Sequence, residues 1–123
     1  AALAKPPGNP PNLLFGPVWT VLYTCMGLAL ARIWHIKDQT PARRTALAVF
    51  LVQMVLNLAW TPVFFGAHQI GIALIVIIVL LITIGITIGS FRKLDRPAAI
   101  LLIPYALWVS YATYLNAGFL VLN

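Results

Sequence analysis

The sequence predicts an all-α integral membrane protein: a helical bundle with four transmembrane helices. Three observations carry that expectation. The 123 residues are 62% hydrophobic and only 8% charged, with a mean hydropathy of +0.97. A soluble domain of this size keeps too much surface in water to hide so many apolar groups, so lipid is the expected solvent. Four apolar runs are each long enough to cross a hydrocarbon core, which takes about 20 helical residues. The charges gather in two short clusters, 32–44 and 92–96, that flank those runs as topology signals do. The same clustering sets aside nucleic acid as a partner, despite a net charge of +6. The expected partner is the lipid bilayer.

The chain reads as one transmembrane domain, 1–123. Residues 1–13 form a proline-rich loop. In the stretch KPPGNPPNLLFGPVW, five of fifteen residues are proline. Proline fixes φ, lacks an N–H and pushes the residue before it toward extended shapes, so this segment is stiff and non-helical. Helices are expected at about 14–34, 45–65, 70–91 and 97–122, because backbone groups in lipid must bond internally. Pro17 is tolerated in the first turn of the first helix. The third run is rich in isoleucine and valine, and its length decides for helix. Only 66–69 separate the second and third helices, which makes them an antiparallel hairpin. Arg32, Lys37, Arg43 and Arg44 join the first two helices, and Arg92, Lys93 and Arg96 join the last two. Lys5 alone lies on the other side. The positive-inside rule turns the two basic connections to the cytoplasm of a multi-pass protein. The expected location is a bacterial cell membrane. Cys25 is the one cysteine, so no intrachain disulfide forms.

Three stripes mix flat aromatics with polar or small residues at helical spacing. They are Trp19, Tyr23 and Met26; Gln53, Asn57, Trp60 and Phe64; and Tyr105, Trp108, Ala112 and Asn116. Polar side chains are costly against lipid tails, so Asn57 and Asn116 should face the bundle interior. Large rings with a few polar groups suit a flat, mostly apolar ligand. Each residue alone also reads as core packing, and Asn57 also reads as a bridge between helices. Pro62 and Pro104 are expected to bend their helices. Trp34 beside Arg32 reads as an interface anchor. His35 and His68 have no second ligand at metal spacing, so no metal site is expected. Gly85 and Gly89 form a GxxxG pair that suits close helix contact, within the bundle or in a dimer.

Taken in order, KPPGNPPNLLFGPVWTVLY, LNLAWTPVFFGAHQ and LLIPYALWVSYATYLN resemble the tryptophan-rich sensory protein or translocator protein (TspO/peripheral benzodiazepine receptor) family. The resemblance covers essentially the whole chain. It implies a five-helix fold in which the four runs match helices two to five, with the first helix upstream of Ala1. It also implies that the proline-rich stretch is a loop over a ligand pocket. Porphyrins such as protoporphyrin IX, haem and other flat apolar molecules are the implied ligands, with no resident cofactor. Trp19, Tyr23, Asn57, Trp60, Phe64, Tyr105, Trp108, Ala112 and Asn116 are the expected ligand-binding residues, forming a single pocket shared by three helices. Some members degrade protoporphyrin in light through two pocket tryptophans, whose positions match Trp19 and Trp108. A homodimer is the expected assembly. Two departures make this pocket more apolar: Ile72 stands where many members carry tryptophan, and Val76 where many carry aspartate. No Lys or Arg follows Arg96, so the cholesterol motif of animal members is missing.

Three functions compete: a binding protein and sensor for tetrapyrroles, a light-dependent porphyrin-degrading enzyme, and a small four-helix drug/proton antiporter. No nucleophile–base set or paired carboxylates support conventional catalysis. The only two acids, Asp38 and Asp95, lie in the connections. Proton-driven antiport needs an ionisable group at membrane depth, which weighs against the third reading.

Overall fold

The computed structural model describes residues 15–61 and 70–122. Five helices follow in order: α1 Phe15–Trp34, α2 Pro41–Thr61, α3 Ile70–Leu94, α4 Arg96–Leu101 and α5 Ile103–Leu122. Four stretches are long and apolar enough to cross a membrane: α1, α2, α3 and the α4–α5 unit. The all-helical transmembrane bundle expected from composition is therefore present. The proline-rich loop, Pro62, Phe64 and His68 lie outside the described residues.

Helix α2 begins at Pro41, four residues before the apolar run does. Thr40 is its cap: its Oγ1 accepts from the Arg43 N–H at 3.2 Å, and its carbonyl accepts from the Arg44 N–H at 3.1 Å. Proline at the first helical position costs nothing there, because that N–H has no intrahelical partner anyway. Helix α3 runs one turn past Phe91 to Leu94, where Arg92 and Lys93 sit at the negative end of the helix dipole.

The fourth expected helix is two pieces. Asp95 caps α4, accepting from the Ala98 N–H at 3.1 Å, with Pro97 near the helix start. The chain turns at Leu102, whose N–H bonds to the Ala99 carbonyl at 3.1 Å, and α5 starts at Ile103. Pro104 has no N–H to continue the α4 ladder, which places the break beside it.

The most extensive packing is between α2 and α3, followed by α3 with α5 and α4, and α1 with α4. Lipid tails are as apolar as leucine, so close fit rather than water exclusion holds such helices together. Phe50 and Phe91 stack across α2 and α3 with ring centroids 5.8 Å apart. Met26, Ile33, Ile77, Leu80, Ile84 and Leu102 fill the same core. Leu51, Val55, Ile75, Ile82 and Leu107 face outward, as a lipid-bathed surface allows. Thr20, Thr24, Thr83, Thr87, Ser110 and Thr113 each donate their hydroxyl to the carbonyl four residues back, so these groups need no water. Gly85 and Gly89 face outward, and a Cβ on either would meet nothing within 4 Å. Close packing within the described bundle therefore does not use them.

One clamp closes the basic end. Arg43 is buried and donates to the Trp34 carbonyl at 2.9 Å and to Gln39 Oε1 at 2.8 Å. Its guanidinium also lies 5.4 Å from the centre of the Trp34 ring. A cation over the last carbonyls of α1 meets the negative end of that helix. Trp34 is thus a packing partner for Arg43 as well as an exposed ring at the helix end.

A second clamp joins α1 to the start of α4. Arg32 Nε and Nη2 donate to the Asp95 carboxylate at 2.5 and 3.2 Å. These bonds hold the Asp95 carboxyl below its ordinary range, against partial burial, with further help from the Ala98 N–H. A depressed carboxyl stabilises the fold above its unfolded pKa, and that contribution fades as pH falls through the lower folded value. Asp95→Asn keeps a capping side chain and loses the ion pair. Its melting point should therefore lie below that of wild type at neutral pH, with the gap closing as pH drops below about 4. Asp95→Ala also loses the cap, which costs about 1 kcal/mol more. A gap that widens in acid would contradict this assignment.

Candidate ligand-binding site

Two turns of α1 and two of α5 build an aromatic wall. Trp19 and Tyr23 are one turn apart on α1 and stack with centroids 5.4 Å apart. Trp108 on α5 meets the Trp19 ring edge-on at 6.3 Å. Tyr111, one turn beyond Trp108, continues the wall at 5.7 Å. Trp19, Trp108 and Tyr111 are half-buried and Tyr23 is 40% exposed, so part of each ring is open to a guest. Such edge-to-face and offset contacts hold aromatic rings in set orientations.

Behind the wall runs a chain of hydrogen bonds through three helices. Tyr23 Oη donates to Asn57 Oδ1 at 2.6 Å. Asn57 Nδ2 donates to Tyr105 Oη at 2.9 Å, and Tyr105 Oη donates to Gln53 Oε1 at 2.7 Å. Asn57, Tyr105 and Gln53 are all buried. The chain ends at Gln53 Nε2, a buried donor without a partner among the described residues. A second link ties α2 to α5: Trp60 Nε1 donates to Asn116 Oδ1 at 2.9 Å.

The expected site residues thus divide by role. Trp19, Tyr23 and Trp108 come together with accessible ring surface. Asn57 and Tyr105 bridge helices and set the Tyr23 hydroxyl. Ala112 and Asn116 are buried against the bundle, and Trp60 is half-buried with its N–H committed to Asn116. Phe64 lies outside the described residues. Met26 shares the α1 stripe but is wholly buried in the core. Gln53 shares the α2 stripe and proves to be the inner end of the polar chain. Tyr111 was not among the expected residues. Its signal in the sequence is its spacing of three from Trp108, which puts both rings on adjacent turns.

The chain matches the TspO/MBR family model over residues 1–122. It is similar to the tryptophan-rich protein TspO of Chlorobaculum tepidum, with 41% identity over 98% of this chain and 77% of that protein. It is 39% identical to the tryptophan-rich sensory protein of Cereibacter sphaeroides, over 98% of this chain and 74% of that one. It is 38% identical to the translocator protein of Ovis aries, over 94% of this chain and 69% of that one. With four membrane-crossing stretches and a family match along its length, the chain is a multi-pass membrane protein that belongs to the TspO/MBR family.

Proposed function

We propose that this protein is a membrane-embedded binding protein and sensor for porphyrins, such as protoporphyrin IX, and for other flat apolar ligands. The observation that carries this reading is the open aromatic wall of Trp19, Tyr23 and Trp108, contributed by two helices and braced by the Asn57 chain. A planar macrocycle offers a large π-face to such rings. The names of the relatives, sensory protein and translocator protein, agree with ligand sensing or movement.

The reading includes haem, held by its flat face and not through His35. His35 follows Trp19 by 16 residues, about 24 Å along the helix axis at 1.5 Å per residue. It cannot reach a ring stacked on Trp19. A second reading, light-driven porphyrin breakdown, is favoured by the direct contact of the two indoles. The expected assembly is a homodimer in a bacterial cell membrane, which cross-linking in native membranes would check.

The test is a titration of the full-length protein in detergent with protoporphyrin IX in the dark, followed by tryptophan fluorescence. Saturable quenching at one ligand per chain supports the sensor reading, and quenching that never saturates contradicts it. Illumination of the saturated sample then decides the second reading. Loss of the porphyrin absorption band faster than in free ligand supports breakdown, and an equal rate removes it.

A further inference from the structure

A groove of about 460 Å³ opens between α1 and α4, at the basic end and away from the aromatic wall. Its lining is Leu28, Ala31, Arg32 and His35 from α1, with Asp95 and Leu101 from the α4 segment. The four α1 residues follow the i, i+3, i+4, i+7 spacing of one helix face. The groove is graded along that face. Leu28 lies a turn deeper in the membrane-crossing stretch than Arg32, and Arg32 sits in the last turn of α1 beside the exposed His35.

Arg32 is anchored but not used up. Asp95 takes its Nε and Nη2, and among the described residues Nη1 has no partner. The side chain is 49% exposed. Arg43 cannot play the same part, because it is buried and aimed at Trp34 and Gln39. The end of the bundle around the groove carries seven Lys and Arg against two Asp. An anion with an apolar tail matches this gradient. A soluble anion would make no use of Leu28 and Leu101, and an uncharged lipid would make no use of Arg32.

We propose that the α1–α4 groove binds one anionic phospholipid, with its phosphate on Arg32 and its acyl chain along Leu28 and Leu101. Guanidinium–phosphate bonds are among the stronger polar contacts, and basic recesses between membrane helices suit anionic headgroups. Asp95 holds the guanidinium in place and at the same time opposes the phosphate charge.

Native mass spectrometry of the full-length protein, in micelles with equal phosphatidylglycerol and phosphatidylcholine, tests this. Wild type should retain one phosphatidylglycerol in preference to phosphatidylcholine. Arg32→Gln should weaken that retention about tenfold or more, as loss of one charge-assisted contact does. Ala31→Phe, which fills the groove and leaves the ion pair, should also lose the lipid. Asp95→Asn should retain more phosphatidylglycerol than wild type, a gain that misfolding does not produce. Lys93→Gln, outside the groove, should leave retention unchanged. The proposal is overturned if Lys93→Gln costs as much as Arg32→Gln, if Ala31→Phe keeps the lipid, or if Asp95→Asn shows no gain. It is also overturned if glycerol phosphate displaces the lipid, since the groove would then read a free phosphate alone.

Discussion

Trp108→Ala should weaken protoporphyrin binding about tenfold or more. Trp108 and Trp19 meet edge-on from different helices, and both leave ring surface open. Stacking of a flat base on a protein ring contributes about 1–3 kcal/mol, and about 1.4 kcal/mol is a factor of ten. A porphyrin has a larger face than a base. Trp34→Ala is the matched control, because it deletes the same side chain at the far end of α1. Trp34 is 63% exposed and packs on the Arg43 guanidinium. Its loss should lower the melting point and leave porphyrin affinity nearly unchanged. Dark titrations of the two folded mutants check the contrast, and equal losses of affinity would sink the pocket assignment. Trp108→Phe divides packing from chemistry. If wild type breaks porphyrin down in light, retained dark binding with lost breakdown would make the indole a reacting group.

Asn57→Leu should destabilise the bundle by about 1–3 kcal/mol, the largest stability effect expected of a single site. Asn57 accepts from Tyr23 and donates to Tyr105, so one side chain joins α1, α2 and α5. Removing it strands the Tyr105 hydroxyl in the core with one partner instead of two. An unsatisfied buried group costs about 1–3 kcal/mol, although single interhelical bonds in membranes average only about 0.6. Tyr23→Phe deletes only the outer bond of the chain, where the ring is 40% exposed, and should cost less. Unfolding of the three proteins in mixed micelles gives the order. If Tyr23→Phe costs as much as Asn57→Leu, the Asn57–Tyr105 bond contributes little. Asn57→Leu should also loosen porphyrin binding, because Tyr23 loses the partner that orients it against Trp19.

The membrane class and helix order were legible because length and apolarity alone decide them in lipid. The helix ends were less so. Hydropathy marks where a helix meets water, not where its hydrogen bonds begin, and α2 starts at Thr40-Pro41 in polar sequence for that reason. The break at Leu102 sits two residues before Pro104, which announces a bend without fixing where it falls. In the site, spacing brought Trp19 with Tyr23 and Tyr105 with Trp108 onto shared faces. It could not say that Met26 turns inward while Tyr23 stays open, since that depends on which neighbour covers each turn. Nor could it say that Gln53 and Tyr105 pair across helices. Arg43 reads as a topology charge by composition, and only the folded chain places it on the α1 carboxyl end.

The most direct test of the aromatic wall uses the four tryptophans as separate reporters. Each indole N–H gives its own signal in a nitrogen–proton correlation spectrum of the protein in micelles, assigned by single Trp→Phe changes. A porphyrin stacked on the wall imposes a strong ring current on nearby protons. On adding protoporphyrin IX in the dark, the Trp19 and Trp108 signals should shift most. Trp60, held by Asn116, should move less, and Trp34 should stay in place. A Trp34 shift as large as those of Trp19 and Trp108, or no shift at either wall tryptophan under saturating ligand, would contradict the account.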